Sequence, residues 1–258
     1  MTAPPRIDVR ALRKSFPTPK GTIEVLDGID LIVERRQFVT LLGPSGCGKS
    51  TMFDIVAGLE ESSSGEVLID GDPERRAGRC GYMPQRDLLM PWKTVGDNVA
   101  VGRVAKGIPR HQARSEAVGV LSRFGLGDFA GLYPRMLSGG MRQRAALART
   151  YLAGNDLLLL DEPFGGLDSL TRLRMQSWLL DVWRETESAV MFVTHDVDEA
   201  IRLGDRVYVL TERPASVAVV IDVDLPRPRP YETVLSPQFA QLKAIALQHL
   251  HTEATGNG

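Results

Sequence analysis

The 258-residue chain has no apolar run approaching about 18 residues, so it predicts no membrane-spanning helix. Any work at a membrane would need another chain to supply the spanning part. The opening MTAPPRIDVRAL has no basic stretch followed by an apolar one, so no secretory signal is expected. Charge of one sign is also missing. Lys and Arg number 31 against 32 Asp and Glu, a formal net charge of −1, which removes any bulk electrostatic case for nucleic acid or an anionic lipid surface. Cysteine is scarce: Cys47 and Cys80 only. Cys47 lies within a glycine-rich loop that a disulfide would obstruct, so a reducing cytoplasm is expected. What remains is ordinary, with 43% hydrophobic and 24% charged residues, and long enough for one large α/β domain or a core with a smaller subdomain.

RIDVRALRKSF and IEVLDGIDLIVE alternate apolar and polar residues as half-buried antiparallel strands do. QFVTLLG is a short apolar run ending in glycine, suited to a strand buried on both faces. KSTMFDIVAGLEE reads as helix with Gly58 near its end, and SGEVLIDG returns to strand. From Gly107 to Tyr133 the spacing turns helical, and with LSGGMRQRAALARTYLAG it predicts a helical insertion at about 86–154. DLLLLDEP, AVMFVTHD and RVYVLT read as strands, separated by the helices LTRLRMQSWLLDVWRET and VDEAIRLGD. Alternation of this kind implies a mixed central sheet with right-handed crossovers. The expected architecture is an α/β phosphate-loop core, an N-terminal antiparallel β subdomain and a helical insertion subdomain, over residues 1–230. Asp222 to Pro230 form a Pro/Arg-rich connector in which Arg227 and Arg229 read as solvated. A short helix and a disordered tail complete 231–258.

Gly43-Pro44-Ser45-Gly46-Cys47-Gly48-Lys49-Ser50 matches G-x-x-x-x-G-K-[ST] in full, with a strand before it and a helix after it; Thr51 follows. Glycines let backbone N–H groups curl around a phosphate, and the helix N-terminus adds positive partial charge. Lys49 would reach the β- and γ-phosphates, and Ser50 would offer its hydroxyl to Mg²⁺. Asp161 closes the run Leu157 to Leu160, where an acid organising Mg²⁺ is expected, and Glu162 after it is the candidate general base. His195 ends another buried strand and is a candidate donor to the γ-phosphate. Gln85 follows a short apolar segment; it is either a surface glutamine or a ligand of Mg²⁺ and the water. Cys47, among N–H groups at a helix start, is expected to favour its thiolate, so a thiol reagent should block nucleotide there.

These elements, in this order and with Leu137-Ser138-Gly139-Gly140-Met141-Arg142-Gln143-Arg144 between them, resemble an ABC-type ATPase subunit over about residues 6–225. The resemblance implies ATP and Mg²⁺ as cofactors. It implies that Ser138, Gly139 and Gly140 contact ATP held by the phosphate loop of a second copy, and a Ser hydroxyl with helix-start N–H groups is a fitting anion site. It implies that Asp168, in FGGLDS, links the two sites and that Phe16 stacks on adenine, a packed edge-strand ring being the lesser alternative.

GYMPQRDLLMPWKTVGDNV and DEPFGGLDSLTR are similar to the ATPases of nitrate, sulfonate and taurine importers, with transporters of pyrimidine precursors close by. This implies membrane permease subunits docking near Gln85–Val95, a solute-binding protein engaged indirectly, no nucleic-acid partner, and a peripheral place on the cytoplasmic face of the plasma or inner membrane. Leu88, Leu89, Met90 and Trp92 are too apolar for a solvated loop; they pack into the insertion, line the docking groove, or divide between the two. The rival readings are a soluble ATPase of this type acting on nucleic acid or ribosomes, and an exporter subunit.

Overall fold

The computed structural model describes residues 3–74 and 76–254, with side chains as far as Leu250; residues 255–258, the expected tail, lie outside the described residues. In chain order the elements are β1 (Ile7–Thr18), β2 (Gly21–Val33), β3 (Phe38–Leu42), α1 (Lys49–Val56), β4 (Ser64–Ile69), β5 (Gly81–Met83), α2 (Val95–Ala105), α3 (Arg110–Arg123), α4 (Gly139–Leu152), β6 (Leu157–Asp161), α5 (Ser169–Thr186), β7 (Ala189–Thr194), α6 (Val197–Leu203), β8 (Arg206–Leu210), β9 (Val217–Asp222) and α7 (Pro237–Ala254). They form two compact units, one of Met1–Cys80 with Glu187–Gly258, the other Gly81–Thr186.

The first unit holds two sheets. β1 pairs antiparallel with both β2 and β4, as the alternating N-terminal segments predict. In the mixed sheet β3 lies between β7 and β8, parallel to both, and β9 runs antiparallel along β8. All five residues of β3 are buried, the burial that its continuous apolar run requires. The parallel register pairs Leu42 with Thr194 and with Val209. The segments that follow β3, β7 and β8 therefore leave from one edge. β9 was not anticipated, because residues 212–221 carried no alternation.

Beyond β9 the expected solvated connector is a correction. Arg229 is only 3% exposed. Its guanidinium donates to the carbonyls of Ile201 (3.2 Å) and Gly204 at the end of α6, and to those of Val223 (3.0 Å) and Leu225 (3.0 Å) on the departing chain. The last carbonyls of a helix have no partner within it, and a planar fork of donors can serve several of them. Burial, then the neighbouring Arg227 charge, pushes the Arg229 pKa down to about 10. Arg227 is tied to Asp205 (2.6 Å) and to the Leu203 carbonyl. Beyond the connector, Phe239 and Ala246 of α7 join Ile201, Val209, Ile221 and Leu225 in one apolar cluster.

In the second unit β5 and β6 pair in parallel, and β6 is wholly buried. Trp178 of α5 packs against Phe124 and Tyr151, with ring centroids 4.0 and 5.6 Å apart. α2 lies within the span expected for the helical insertion, although no separate helix is read at 95–105 from the sequence. Thr94 caps it by accepting from the Asp97 N–H (3.2 Å), and Asn98, fully buried, donates to the carbonyls of Met90, Lys93 and Thr94. Its own side-chain oxygen accepts from the Met90 N–H at 2.7 Å. One amide thus shapes the whole approach to the helix.

Candidate nucleotide site

Gly43 opens the phosphate loop directly beyond β3, and Lys49 begins α1. Gly46 and Gly48 have φ of +79° and +124°, conformations that a side chain strongly disfavours. A Cβ on Gly48 would also come within 2.8 Å of Val25 and 2.9 Å of Leu26. The bare backbone is thus required twice over, by torsion and by space. The Lys49 ammonium donates to the carbonyls of Gly43 (2.8 Å) and Pro44 (2.7 Å), so its charge is turned onto the loop itself. No side chain caps the start of α1, whose first N–H groups face the loop end; Ser45 and Ser50 are exposed, and Thr51 is half-buried. A lysine, a glycine cradle and an uncapped helix start form a donor set that fits a polyphosphate.

His195 is exposed and directly follows β7, at the edge from which the phosphate loop leaves β3. Phe16 lies on β1 opposite Ile23, half-buried, with the Lys14 ammonium 4.6 Å from its ring centre. One face of the ring therefore carries a cation, and a base would stack on the other.

Cys47 departs from its expected chemistry. Burial pushes its thiol pKa up, and the nearby Lys49 charge, 3.8 Å from the sulfur, offsets only part of that rise. The thiol form is favoured. Helix-start and lysine effects argue for a thiolate, but a side chain only 2% exposed is governed by desolvation.

In the second unit Met83 pairs with Leu160, so Gln85, two residues past Met83, and Glu162, two residues past Leu160, emerge together. Gln85 and Glu162 meet there, the Gln85 amide donating to the Glu162 carboxylate at 3.4 Å. Asp161 is buried at the strand end. Glu162 has φ +46°, an uncommon left-handed conformation for a non-glycine residue, costing about 1–3 kcal/mol. Its carbonyl is held by the Gly165 N–H (3.0 Å) and by the Gln143 amide (3.3 Å) from α4. The carboxylate and amide oxygens here, like the Ser50 hydroxyl of the first unit, are hard oxygen donors of the kind Mg²⁺ takes.

Ser138 caps α4, its hydroxyl accepting from the Met141 N–H at 3.3 Å, and Gly139 and Gly140 form the first turn. Arg142, in that same turn, is committed elsewhere: it donates to Asp87 (3.0 Å) and to the Leu137 carbonyl (2.9 Å). Asp168 likewise caps α5 through the Thr171 N–H, and hydrogen bonding from the Thr171 side chain and then from that N–H lowers its carboxyl pKa.

The 87–95 segment divides its apolar residues. Leu89 and Val95 are buried, whereas Leu88 is 61% and Trp92 74% exposed. Arg149 of α4 fixes the turn by donating to the carbonyls of Asp87 and Leu88, both at 2.8 Å, and Leu88 has φ +43°. Asn98, Arg142 and Arg149 were missed as site-shaping residues. Their acceptors are backbone carbonyls or a single acid, which leave no motif.

A family model described as ABC transporter matches residues 26–165. A taurine import ATP-binding protein of Rhizobium johnstonii is 42% identical over 238 residues, 90% of each chain. An aliphatic sulfonates import ATP-binding protein of Bacillus thuringiensis is 39% identical over 243 residues, 94% of each. Among solved structures, an ATP-binding cassette captured as a dimer in a post-hydrolysis state with ADP and Pi superposes with a TM-score of 0.79 at 28% identity, covering 85% of this chain and all of that one. Among the described residues no helix is long and apolar enough to cross a membrane.

Proposed function

The chain belongs to the ABC transporter family as one of its ATP-hydrolysing subunits, and from that premise we propose that it powers an importer for a small solute. The relatives named for taurine and aliphatic sulfonates support a cargo of that class, nitrate and pyrimidine precursors being neighbouring choices. Two copies would close over two ATP molecules. Separate permease subunits would dock on the exposed Leu88 and Trp92 side of the 85–95 segment, placing the protein peripherally on the cytoplasmic face. A solute-binding protein would engage the permease and not this chain, and no nucleic acid takes part.

One observation carries the two-copy reading. The starts of α1 and of α4 both carry glycines and suit an anion. Only the first has a phosphate loop and a lysine of its own, and the arginine in the first turn of the second is tied to Asp87. The start of α4 is thus half of a site that a second copy completes. The proposed roles follow the chemistry of each group. Lys49 and the loop N–H groups from Gly43 to Thr51 hold the phosphates, and Phe16 holds the base. Ser50, Gln85 and Asp161 offer oxygen ligands to Mg²⁺, which would neutralise charge on the phosphoryl oxygens. Glu162 accepts a proton from the attacking water, His195 donates to the γ-phosphate, and Ser138, Gly139, Gly140 and Asp168 serve the partner copy's nucleotide.

Glu162→Gln tests the assignment. ATP binding should persist, hydrolysis should fall by about 10²–10⁴-fold, and a dimer should accumulate with ATP. Turnover near wild type, or a monomer in ATP by size analysis, would refute it.

A further inference from the structure

The hairpin between β8 and β9 is anchored at its tip and reaches the phosphate loop. Residues 211–216 are closed by the Thr211 N–H on the Ser216 carbonyl (3.0 Å) and the Ser216 N–H on the Thr211 hydroxyl (2.8 Å). The tip is fastened to β2 as well: Ala215, fully buried, donates to the Val25 carbonyl (2.9 Å) and accepts from the Asp27 N–H (2.8 Å). Val25 and Leu26 are the residues against which Gly48 is packed. From this anchored tip Arg213 extends two donors to one acceptor, Nη2 at 2.6 Å and Nε at 3.2 Å from the Gly46 carbonyl.

That contact has a consequence for the next residue. The Gly46 carbonyl and the Cys47 N–H belong to one planar trans peptide, so they point in opposite directions. Holding the carbonyl out toward Arg213 holds the N–H in toward the loop, where it makes only a long 3.4 Å contact with the Pro44 carbonyl. Glycine at 46, with φ +79°, offers little torsional resistance to rotation of that peptide, so the orientation needs an external hold. We propose that Arg213 is a positioning residue for nucleotide binding: it clamps the Gly46–Cys47 peptide so that the Cys47 N–H faces the phosphates. Arg213 acts through the backbone and touches neither the γ-phosphate nor the base. The proposal deepens the ATPase reading and rests on it.

The test is titration of the full-length protein with Mg-ADP and with a Mg-bound, non-hydrolysable ATP analogue, comparing wild type with Arg213→Ala and Arg213→Lys, alongside steady-state ATPase assays. Charge-assisted hydrogen bonds of this kind predict that Arg213→Ala weakens both nucleotides by about tenfold and to the same degree. KM for ATP should rise in parallel while kcat at saturation stays within about twofold, since saturation restores the loop geometry. Arg213→Lys, which offers one donor nitrogen in place of two, should recover part of the loss. Equal affinity in wild type and Arg213→Ala would overturn the proposal. So would a loss confined to the triphosphate, which would mean direct contact with the γ-phosphate, or a fall in kcat and thermal stability with binding unchanged, which would mean a merely structural role. If Arg213→Ala does not fold, the same comparison on Arg213→Lys decides, because one donor in place of two should still weaken both nucleotides equally. Failure of the wild type to bind either nucleotide would instead overturn the ATPase reading itself.

Discussion

Replacing Arg229 by methionine keeps much of the side-chain volume and removes the guanidinium. Five main-chain carbonyls lose a donor at once: Ile201, Arg202 and Gly204 at the end of α6, and Val223 and Leu225 on the chain leaving β9. The site is buried, so water would not readily replace what is lost. The hydrogen bonds do not count in full, because the charge itself is expensive to bury, as its pKa of about 10 records. Breaking a buried charged network of this kind costs about 3–5 kcal/mol. For a chain of this size each kcal/mol lowers the melting temperature by about 2–4 °C, so a fall of roughly 6–20 °C is expected in thermal unfolding followed by circular dichroism. Lysine should not rescue, since a single ammonium cannot serve acceptors spread around a planar fork. ATPase activity well below the transition should stay within about twofold of wild type, because Arg229 touches no nucleotide-binding group. A melting temperature within about 2 °C of wild type would show that the carbonyls find other donors and would refute the reasoning.

Two further outcomes can be checked directly. Cys47 should react with maleimide more slowly than an exposed cysteine at neutral pH, with the rate rising as pH rises, because its raised pKa leaves less thiolate at any given pH; mass spectrometry that finds rapid labelling of Cys47 would contradict its burial. Trp92→Ala should change stability by no more than about 0.5 kcal/mol, as exposed positions do, yet abolish co-purification with the permease subunits; an intact complex would move the docking surface elsewhere.

The sequence was most readable where chemistry is local. A phosphate loop is eight consecutive residues, β3 is an unbroken apolar run, β6 is four leucines closed by Asp161, Gln85 lies two residues beyond β5 and Glu162 directly follows β6. Where contacts join distant stretches, reading failed for identifiable reasons. Arg229 looks like a solvated charge beside prolines because its acceptors belong to α6 and to the turn after β9, neither of which marks the sequence. Within the expected helical insertion α2 carried no signal of its own, because Gly96, Gly102 and several valines are weak helix formers. Gly102 is there for packing: a Cβ on it would lie 2.9 Å from that of Ala153. Cys47 shows a rule overruled by magnitude. Its neighbours favour the anion, and its burial outweighs them.

The arginines of α4 also bear on how this chain can diverge. Asp87 and Leu88 are gripped from α4 by Arg142 and Arg149, while the first turn of that helix presents Ser138. A substitution at 87 takes from Arg142 its carboxylate partner and leaves it the Leu137 carbonyl, and one at 149 releases the turn that displays Leu88 and Trp92. The loop and the helix therefore form a single hydrogen-bonded module. When such a subunit is exchanged between transporters or redesigned for a new permease, residues 87–92 should be transplanted together with 138–149, because grafting either stretch alone leaves Arg142 without its carboxylate partner or a turn without its clasp.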